Sequence, residues 1–269
     1  MLKDITLGQF FPGNSPVHRM DPRTKLLMLI LYIVVLFMAS SWITYGIVFA
    51  FLVTSVSVSR IPLKALVRGM KPIVLILVFT GLLNLFLTDG QPVLVEFWVI
   101  RITLPGVIRA IVMMVRILML LAGTFLLTYT TSPIALTDGL ESLLSPLKKI
   151  KLPVHELAMM MCIALRFIPT LIEETDKIMS AQKARGADFE SGNLFRKVKA
   201  LVPILVPLFI SAFRRADELA TAMECRCYHG GDGRTKMNML KFRLLDIKTF
   251  FVGAVLLAAV ILLNPYLPL

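Results

Sequence analysis

Residues 26–59 form a stretch of 34 residues without a charged side chain, bounded by Lys25 and Arg60. As a single helix this stretch would measure about 51 Å at 1.5 Å per residue, whereas the hydrocarbon core of a bilayer is about 30 Å thick. The stretch therefore predicts a hairpin of two short membrane-spanning helices, with its turn at Ala39, Ser40 and Ser41.

Three further apolar segments are long enough to cross a bilayer. They cover residues 72–88, 107–130 and 249–269. Hydrophobic residues make up 57% of the chain, which exceeds the share that is usual for soluble domains. The sequence therefore predicts an all-α integral membrane protein with about five transmembrane helices.

Lysine and arginine are distributed unevenly among the loops, and this distribution sets the expected orientation. Residues 1–25 carry four, residues 59–71 carry four and residues 131–248 carry eighteen, against one in residues 89–106. The three basic segments are predicted to be cytoplasmic, with the C-terminus outside the cell inner (plasma) membrane. Acidic residues and prolines precede the first apolar segment, so no cleavable signal peptide is expected. No nucleic-acid-binding motif accompanies the net charge of +12, so the expected surroundings are a lipid bilayer rather than nucleic acid.

The second cytoplasmic loop carries basic residues at helical spacing, namely Arg60, Lys64, Arg68 and Lys71. On a helix these residues form one stripe, and Pro62 suits the first turn. The pattern predicts a short helix lying on the inner leaflet, although an ordinary basic loop explains the charges as well.

Two arginines lie within the fourth predicted span. Arg109 and Arg116 are seven residues apart and therefore share one helix face. A charged group inside a span usually faces protein or water. Alternatively, Arg109 lies at the outer end and extends to the interface, which leaves only Arg116 deep in the span.

Residues 131–248 are too charged to be ordinary spans, yet apolar residues recur in them at a spacing of three to four. The pattern predicts helices over residues 154–185, with Pro169 inside, and over residues 194–228. Each would be about 50 Å long, with an apolar first half and a charged second half. The expected domains are a membrane domain (1–130), a cytoplasmic domain of long amphipathic helices (131–246) and a C-terminal transmembrane helix (247–269).

The two predicted helices end alike. Their ends read Ala184-Arg185-Gly186 and Cys225-Arg226-Cys227, and the arginines are 41 residues apart. Aspartate and alanine precede each arginine by nine and four residues: Asp176 and Ala181, then Asp217 and Ala222. One explanation is that a cation in the last turn complements the helix dipole. The other is that small neighbours let each guanidinium enter an acidic groove of a partner and pair bidentately with carboxylates.

The whole pattern resembles the T component of energy-coupling factor (ECF) transporters, which are ABC-type importers. Four spans, a long helical insertion and a last span fit that family. Residues 182–188 (QKARGAD) resemble the first of its two Ala-Arg-Gly motifs, and residues 223–228 (MECRCY) resemble the second but keep only its arginine. Residues 8–10 and 15–25 resemble the family's entry into the first span.

The resemblance implies a chain that couples rather than catalyses. Two cytoplasmic ABC-type ATPase subunits would bind the helix ends at Ala184, Arg185, Gly186, Cys225, Arg226 and Cys227. A separate substrate-binding membrane subunit, the S component, would deliver a vitamin or another micronutrient. The ATPases would bind ATP and magnesium, so no cofactor is expected in this chain. A T component dedicated to cobalt, nickel or biotin import stays open as an alternative.

Motifs for catalysis are absent from the sequence. No Gly-x-x-x-x-Gly-Lys-Ser/Thr loop occurs, and the glycine-rich residues 230–236 lack its spacing. Cys225, Cys227 and His229 have no second pair of metal ligands nearby, so no metal site is expected. The chain is therefore expected not to be an enzyme. The alternatives from another class are a lipid-modifying membrane enzyme that uses Arg109, Arg116 and the cytoplasmic carboxylates, and a scaffold that assembles membrane complexes.

Overall fold

The computed structural model describes residues 10–88, 93–97, 100–187, 189, 194–230 and 239–266. Contacts divide the chain into two compact units. The core unit comprises the described residues of 8–140 and 240–269, and the insertion unit comprises those of 141–239. The predicted domain boundaries at residues 130 and 246 stay predictions.

Helices make up most of the described chain, which confirms the all-α fold class. They are α1 (Pro22–Met38), α2 (Trp42–Ser59), α3 (Leu63–Met70), α4 (Val74–Leu87), α5 (Leu104–Thr130), α6 (Pro133–Leu144), α7 (Val154–Ala184), α8 (Leu194–Glu224) and α9 (Leu244–Leu263). An antiparallel hairpin of β1 (Val93–Phe97) and β2 (Ile100–Thr103) lies between α4 and α5. The hairpin was not predicted, but its β-branched and aromatic residues favour strands.

The first two helices form the predicted hairpin, with its turn at residues 39–41. Ser41 precedes α2 in a capping box, in which its backbone N–H donates to Thr44 Oγ1 at 3.1 Å. Asn264, just after α9, holds the same turn: its Nδ2 donates to the Met38 carbonyl at 3.1 Å, and its Oδ1 accepts from the Ser40 hydroxyl at 2.8 Å. The end of the last helix therefore stabilises the first turn.

The core unit is built around α5, which contacts α1, α2, α3 and α4. The buried Tyr32 of α1 donates its hydroxyl to the Met119 carbonyl of α5 at 2.9 Å. Gly123 makes this approach possible, because a Cβ there would lie 2.6 Å from Tyr32 Cε1. The ring therefore packs directly on the α5 backbone.

The two arginines of α5 have different surroundings. Arg116 donates from Nε to the Tyr45 hydroxyl at 2.7 Å and from Nη2 to the Ala39 carbonyl at 3.3 Å. Arg109, near the start of α5, is exposed. This agrees with the alternative in which only Arg116 lies deep, and it makes Arg116 a structural residue that holds the α1–α2 turn.

Among the residues that the structure describes, five helices are long and apolar enough to cross a membrane, by length and composition. They are α2, the continuous segment Leu63–Leu87 that joins α3 to α4, α5, α7 and α9. The predicted set differs in one member, because it contains α1 and excludes α7. α1 has 17 residues, or about 26 Å, and is shorter than each of these five helices. α7 qualifies because Glu156 and Arg166 are the only acidic or basic residues among its first eighteen, His155 aside.

The predicted short helix after α2 is confirmed as α3, with Pro62 as its N-cap residue rather than in its first turn. Leu66 of α3 is buried, whereas Lys64 and Arg68 are exposed. Its position on the inner leaflet stays a prediction.

Candidate functional site

The candidate site comprises the ends of α7 and α8, which pack against each other within the insertion unit. Both helices have 31 residues. α7 ends one residue before its predicted end and α8 four residues before. The backbone of the two ends explains where each helix stops.

The end of α7 is a Schellman motif with Arg185 as the C-cap residue. The Gly186 N–H donates to the Lys183 carbonyl at 3.0 Å, and the Ala187 N–H donates to the Gln182 carbonyl at 3.0 Å. Gly186 has a φ of +88°, the left-handed conformation that terminates a helix in this motif. The last carbonyls of α7 are thereby satisfied by the chain itself.

The end of α8 has the same hydrogen bonds around Arg226. The Cys227 N–H donates to the Glu224 carbonyl at 2.8 Å, and the Tyr228 N–H donates to the Met223 carbonyl at 3.1 Å. Cys227 has a φ of +56° and so occupies the position of the left-handed residue. The helix stops before Tyr228, its predicted end, because the chain turns at this cysteine.

Each hydrogen-bonded residue at the second end lies 41 positions after its equivalent at the first, as the two arginines do. The left-handed residue differs in type, Gly186 against Cys227. Apart from its two chain neighbours, no described residue has an atom within 4 Å of the position that a Cβ would take at Gly186, so the glycine serves conformation rather than space. A residue with a Cβ pays about 1 kcal/mol for this conformation. The second end therefore keeps the geometry at some cost in strain.

Exposure follows the same pattern at both ends. The exposed residues are Lys183 to Gly186 in one and Glu224 to Cys227 in the other, and the residues on either side are half-buried. Within the described part of the chain, neither Arg185 nor Arg226 forms a salt bridge. Two exposed arginines thus stand on backbone turns that share the same pair of closing hydrogen bonds.

Side chains of α7 and α8 form a noncovalent cross-link, which each helix reaches before its arginine site. Glu174 Oε2 lies 2.7 Å from Arg215 Nη2, and the Ser211 hydroxyl donates to Glu174 Oε1 at 2.6 Å. Glu174 and Arg215 are also 41 positions apart, so the pair joins equivalent positions of the two helices. Each arginine site lies eleven residues further along its helix, or about 16 Å. The cross-link is therefore equally far from both sites.

This arrangement is suited to binding rather than to chemistry. A guanidinium is permanently charged and offers a planar fork of donors that matches a carboxylate. The neighbours Ala184 and Gly186, and Cys225 and Cys227, leave each fork free of bulky side chains. Each end can therefore enter an acidic pocket on a partner.

The remaining sequence candidates do not assemble into a site. Among the described residues, no group of three His, Cys, Asp or Glu side chains could hold a metal ion. His229 Nδ1 lies 2.8 Å from the Cys227 carbonyl oxygen and so serves the local turn. His155 Nδ1 lies 3.0 Å from Glu141 Oε1. Residues 231–236 of the glycine-rich segment lie outside the described residues.

Sequence reasoning missed the cross-link of Glu174, Ser211 and Arg215. Asp176 and Asp217 occupy equivalent positions of the two helices, 41 residues apart. Two residues before them lie Glu174 and Arg215, which are opposite charges at equivalent positions. That signal is weak without knowledge that equivalent faces of α7 and α8 meet.

Comparison with known proteins shows similarity along nearly the whole chain. A family described as cobalt transport protein (CbiQ) matches residues 13–237. An energy-coupling factor transporter transmembrane protein EcfT from Acidaminococcus fermentans is 52% identical over 263 residues, which cover 98% of this chain and 97% of the relative. Proteins of the same name are 54% identical in Clostridium kluyveri (97% of each chain) and 49% identical in Bacillus subtilis (97% of this chain and 98% of the relative).

Proposed function

The chain belongs to the family of energy-coupling factor transporter transmembrane proteins, and we propose that it transmits ATP-driven motion from two ATPase subunits to a substrate-binding membrane subunit. It is the T component of an ECF transporter, a multi-pass membrane protein that acts as one subunit of a larger complex. As a transport subunit it has no enzymatic role of its own in that complex.

Two equivalent partners are proposed because the chain presents two equivalent sites. Arg185 and Arg226 each insert into an acidic pocket on one ABC-type ATPase, with Ala184, Gly186, Cys225 and Cys227 against the pocket rim. A pair of closely related or identical ATPases needs two copies of one docking element on a chain that occurs once. Support comes from the turns, which match in hydrogen bonds, left-handed residue and exposure.

Transmission uses the cross-linked pair of helices. When the ATPases close on ATP, the two docked ends move together, and the Glu174–Arg215 pair carries that displacement from one helix to the other. The first half of α7 exposes Leu157, Met160 and Met161. Such apolar side chains suit contact with a second membrane subunit, which then releases a vitamin or related micronutrient into the cell.

The proposed orientation follows from the positions of the basic residues. Residues 1–25, 59–71 and 131–248 face the cytoplasm, and the C-terminus lies outside. The arginine sites then lie on the side where ATP is available. ATP and magnesium are bound, and ATP is hydrolysed, in the partner subunits.

The observation that carries this proposal is the pair of exposed arginines on matching turns. Its test is the double variant Arg185→Glu/Arg226→Glu, expressed in the native host and purified in detergent. We expect association with the ATPases to weaken roughly 10- to 1,000-fold, because two carboxylates would face acidic pockets. Partners are identified by mass, and uptake is measured in proteoliposomes with tritiated riboflavin, folate, thiamine and biotin.

The matched control is Lys177→Glu/Arg214→Glu, which reverses one exposed charge on each helix away from the ends. This control should retain the ATPases. Full ATPase association and full uptake by the Arg185→Glu/Arg226→Glu variant would refute the proposed sites.

A second candidate function is import of a metal ion as cargo, because the matching family is described by cobalt transport. The ligand bound to the co-purified membrane subunit decides between the two. A vitamin on that subunit supports the first candidate, and cobalt or nickel supports the second.

A further inference from the structure

The first turn of α1 is the meeting point of several elements of the core unit. Lys25, in this turn, is 8% exposed, and its amine makes three hydrogen bonds. It donates to the Thr130 carbonyl at 2.9 Å, to Thr131 Oγ1 at 3.2 Å and to the His18 carbonyl at 3.2 Å. Since an ammonium group has three donors, all of them are used. The amine therefore fixes the start of α1 to the end of α5.

The start of α9 is tied to the same turn by Asp246, which is fully buried. Its Oδ2 accepts from the Arg243 backbone N–H at 2.7 Å and so caps α9. Its Oδ1 accepts from the Asp21 backbone N–H at 3.0 Å, across 225 positions of sequence. The Asp246 carboxylate thus caps the start of α9 and also binds the backbone of Asp21, the N-cap residue of α1.

α6 reaches the same turn through Gly139. A Cβ at Gly139 would lie 2.9 Å from Pro22 Cβ and 3.3 Å from the Pro22 carbonyl carbon. This spacing shows that the α6 backbone packs directly on the first residue of α1. No side chain larger than that of glycine fits without displacement of α6.

The charges at this point are balanced. Asp21 and Asp246 both attract the Lys25 ammonium group. Arg23 supplies a second cation, with its Nε 3.9 Å from Asp21 Oδ1. Two anions and two cations, largely shielded from water, therefore form a neutral cluster, and removal of one member leaves a buried charge uncompensated.

These contacts share one topological property. The chain leaves the core unit within α6, after Leu140, and returns to it at Leu240, before α9. Thr130, Thr131 and Gly139 lie before the exit, and Asp246 lies after the return. Both junctions of the insertion are therefore fastened to a single turn, the first turn of α1, which we call the anchor.

We propose that Lys25 and Asp246 are positioning residues for transport: the anchor holds both junctions of the insertion at one point, so that displacement of α7 and α8 is passed to the membrane helices rather than dissipated at loose connections. The proposal rests on the coupling function proposed above. It separates two tasks, because the arginine ends secure the ATPases whereas the anchor converts their motion into movement of the core unit.

The test is the variant Lys25→Met in the complex with its partner subunits, reconstituted in proteoliposomes. Three quantities are measured: co-purification of the ATPases, the rate of ATP hydrolysis, and uptake of the tritiated vitamin that the wild-type complex transports. We expect association and hydrolysis within about twofold of wild type and a roughly tenfold fall in vitamin molecules transported per ATP, which is the scale of typical coupling between sites. The control Lys241→Met removes an exposed lysine near α9 and should change none of the three.

A charge-balanced variant distinguishes a positioning role from damage to the fold. Lys25→Met/Asp246→Asn removes one cation and one anion, so the cluster stays neutral. We expect the thermal midpoint of the complex to recover toward wild type, while vitamin transport per ATP stays low because the three hydrogen bonds of the Lys25 amine are still missing.

Two outcomes would overturn the proposal. Unchanged transport per ATP in Lys25→Met would show that the anchor has no positioning role. Loss of uptake in proportion to loss of the ATPases, or full recovery of transport per ATP in Lys25→Met/Asp246→Asn, would show a purely structural role. Failure of the coupling function itself is recognised separately, because the wild-type complex would then show no ATP-dependent uptake.

Discussion

The ends of α7 and α8 are alike in backbone and different in sequence. Both place an arginine at the C-cap and follow it with a left-handed residue and the same pair of hydrogen bonds. The first end uses glycine for the left-handed residue, whereas the second uses cysteine. The flanking Ala184 corresponds to Cys225.

The difference separates what the site requires from what it tolerates. Arginine is retained at both ends, and so is the turn that presents it. The left-handed residue is replaced at a cost of about 1 kcal/mol, which is small beside the 1–4 kcal/mol that a well-placed interfacial arginine contributes. We infer that the guanidinium and the turn carry recognition, and that the neighbours need only be small.

The largest effect is expected from the single variants Arg185→Glu and Arg226→Glu. If the two ends are equivalent, each should weaken association with the ATPases roughly tenfold or more, and the two factors should agree within about threefold. Titration of purified ATPases against the chain in detergent measures both. A strong effect at one end and none at the other would show that the two ends are not equivalent binding sites.

An intermediate effect is expected at the cross-link. Glu174→Arg should lower the thermal midpoint of the complex and its uptake, because two cations would then meet where a pair now joins the helices. The double variant Glu174→Arg/Arg215→Glu restores the pair with reversed charges and should recover both readings. Glu173→Arg, at an exposed neighbouring position, is the control. Equal losses in the single and double variants would argue against a role of the pair.

The smallest effects should have opposite signs at the two ends. Gly186→Ala forces a Cβ into the left-handed conformation and should cost about 1 kcal/mol, or about 2–4 °C in thermal midpoint. Cys227→Gly relieves the same strain and should raise the midpoint or leave it unchanged. Gly46→Ala, within α2 and with open space around its Cβ, should not destabilise. Shifts of the same sign at both ends would contradict the matched turns.

Sequence reasoning was most successful where one local property decides the structure. The absence of charge over residues 26–59 was enough to predict two helices and a turn at residues 39–41. Periodicity placed α7 and α8 to within a few residues. The predicted end of α8 at Tyr228 was wrong by four residues, because no local rule favours a cysteine as the left-handed residue of a helix end.

Contacts between distant segments were beyond the reach of the sequence. Asp246 and Asp21 lie 225 positions apart. Nothing in the sequence around either residue indicates that the Asp246 carboxylate accepts a hydrogen bond from the Asp21 backbone N–H. Arg116 was predicted to lie within the fourth span, but its partners Tyr45 and Ala39 depend on how α2 packs against α5. Such pairings follow from packing geometry, which single-sequence patterns do not encode.

The most direct test of the central claim uses the native cysteines beside Arg226. Cys225 and Cys227 are exposed and should react readily with a maleimide in the isolated chain, as should the reporter Ala184→Cys at the other end. With ATPase subunits bound, we expect labelling at both ends to slow at least about tenfold, since a docked partner would bury residues at the centre of its interface. Equal labelling rates with and without the ATPases would contradict the claim that these two ends are where the motor subunits bind.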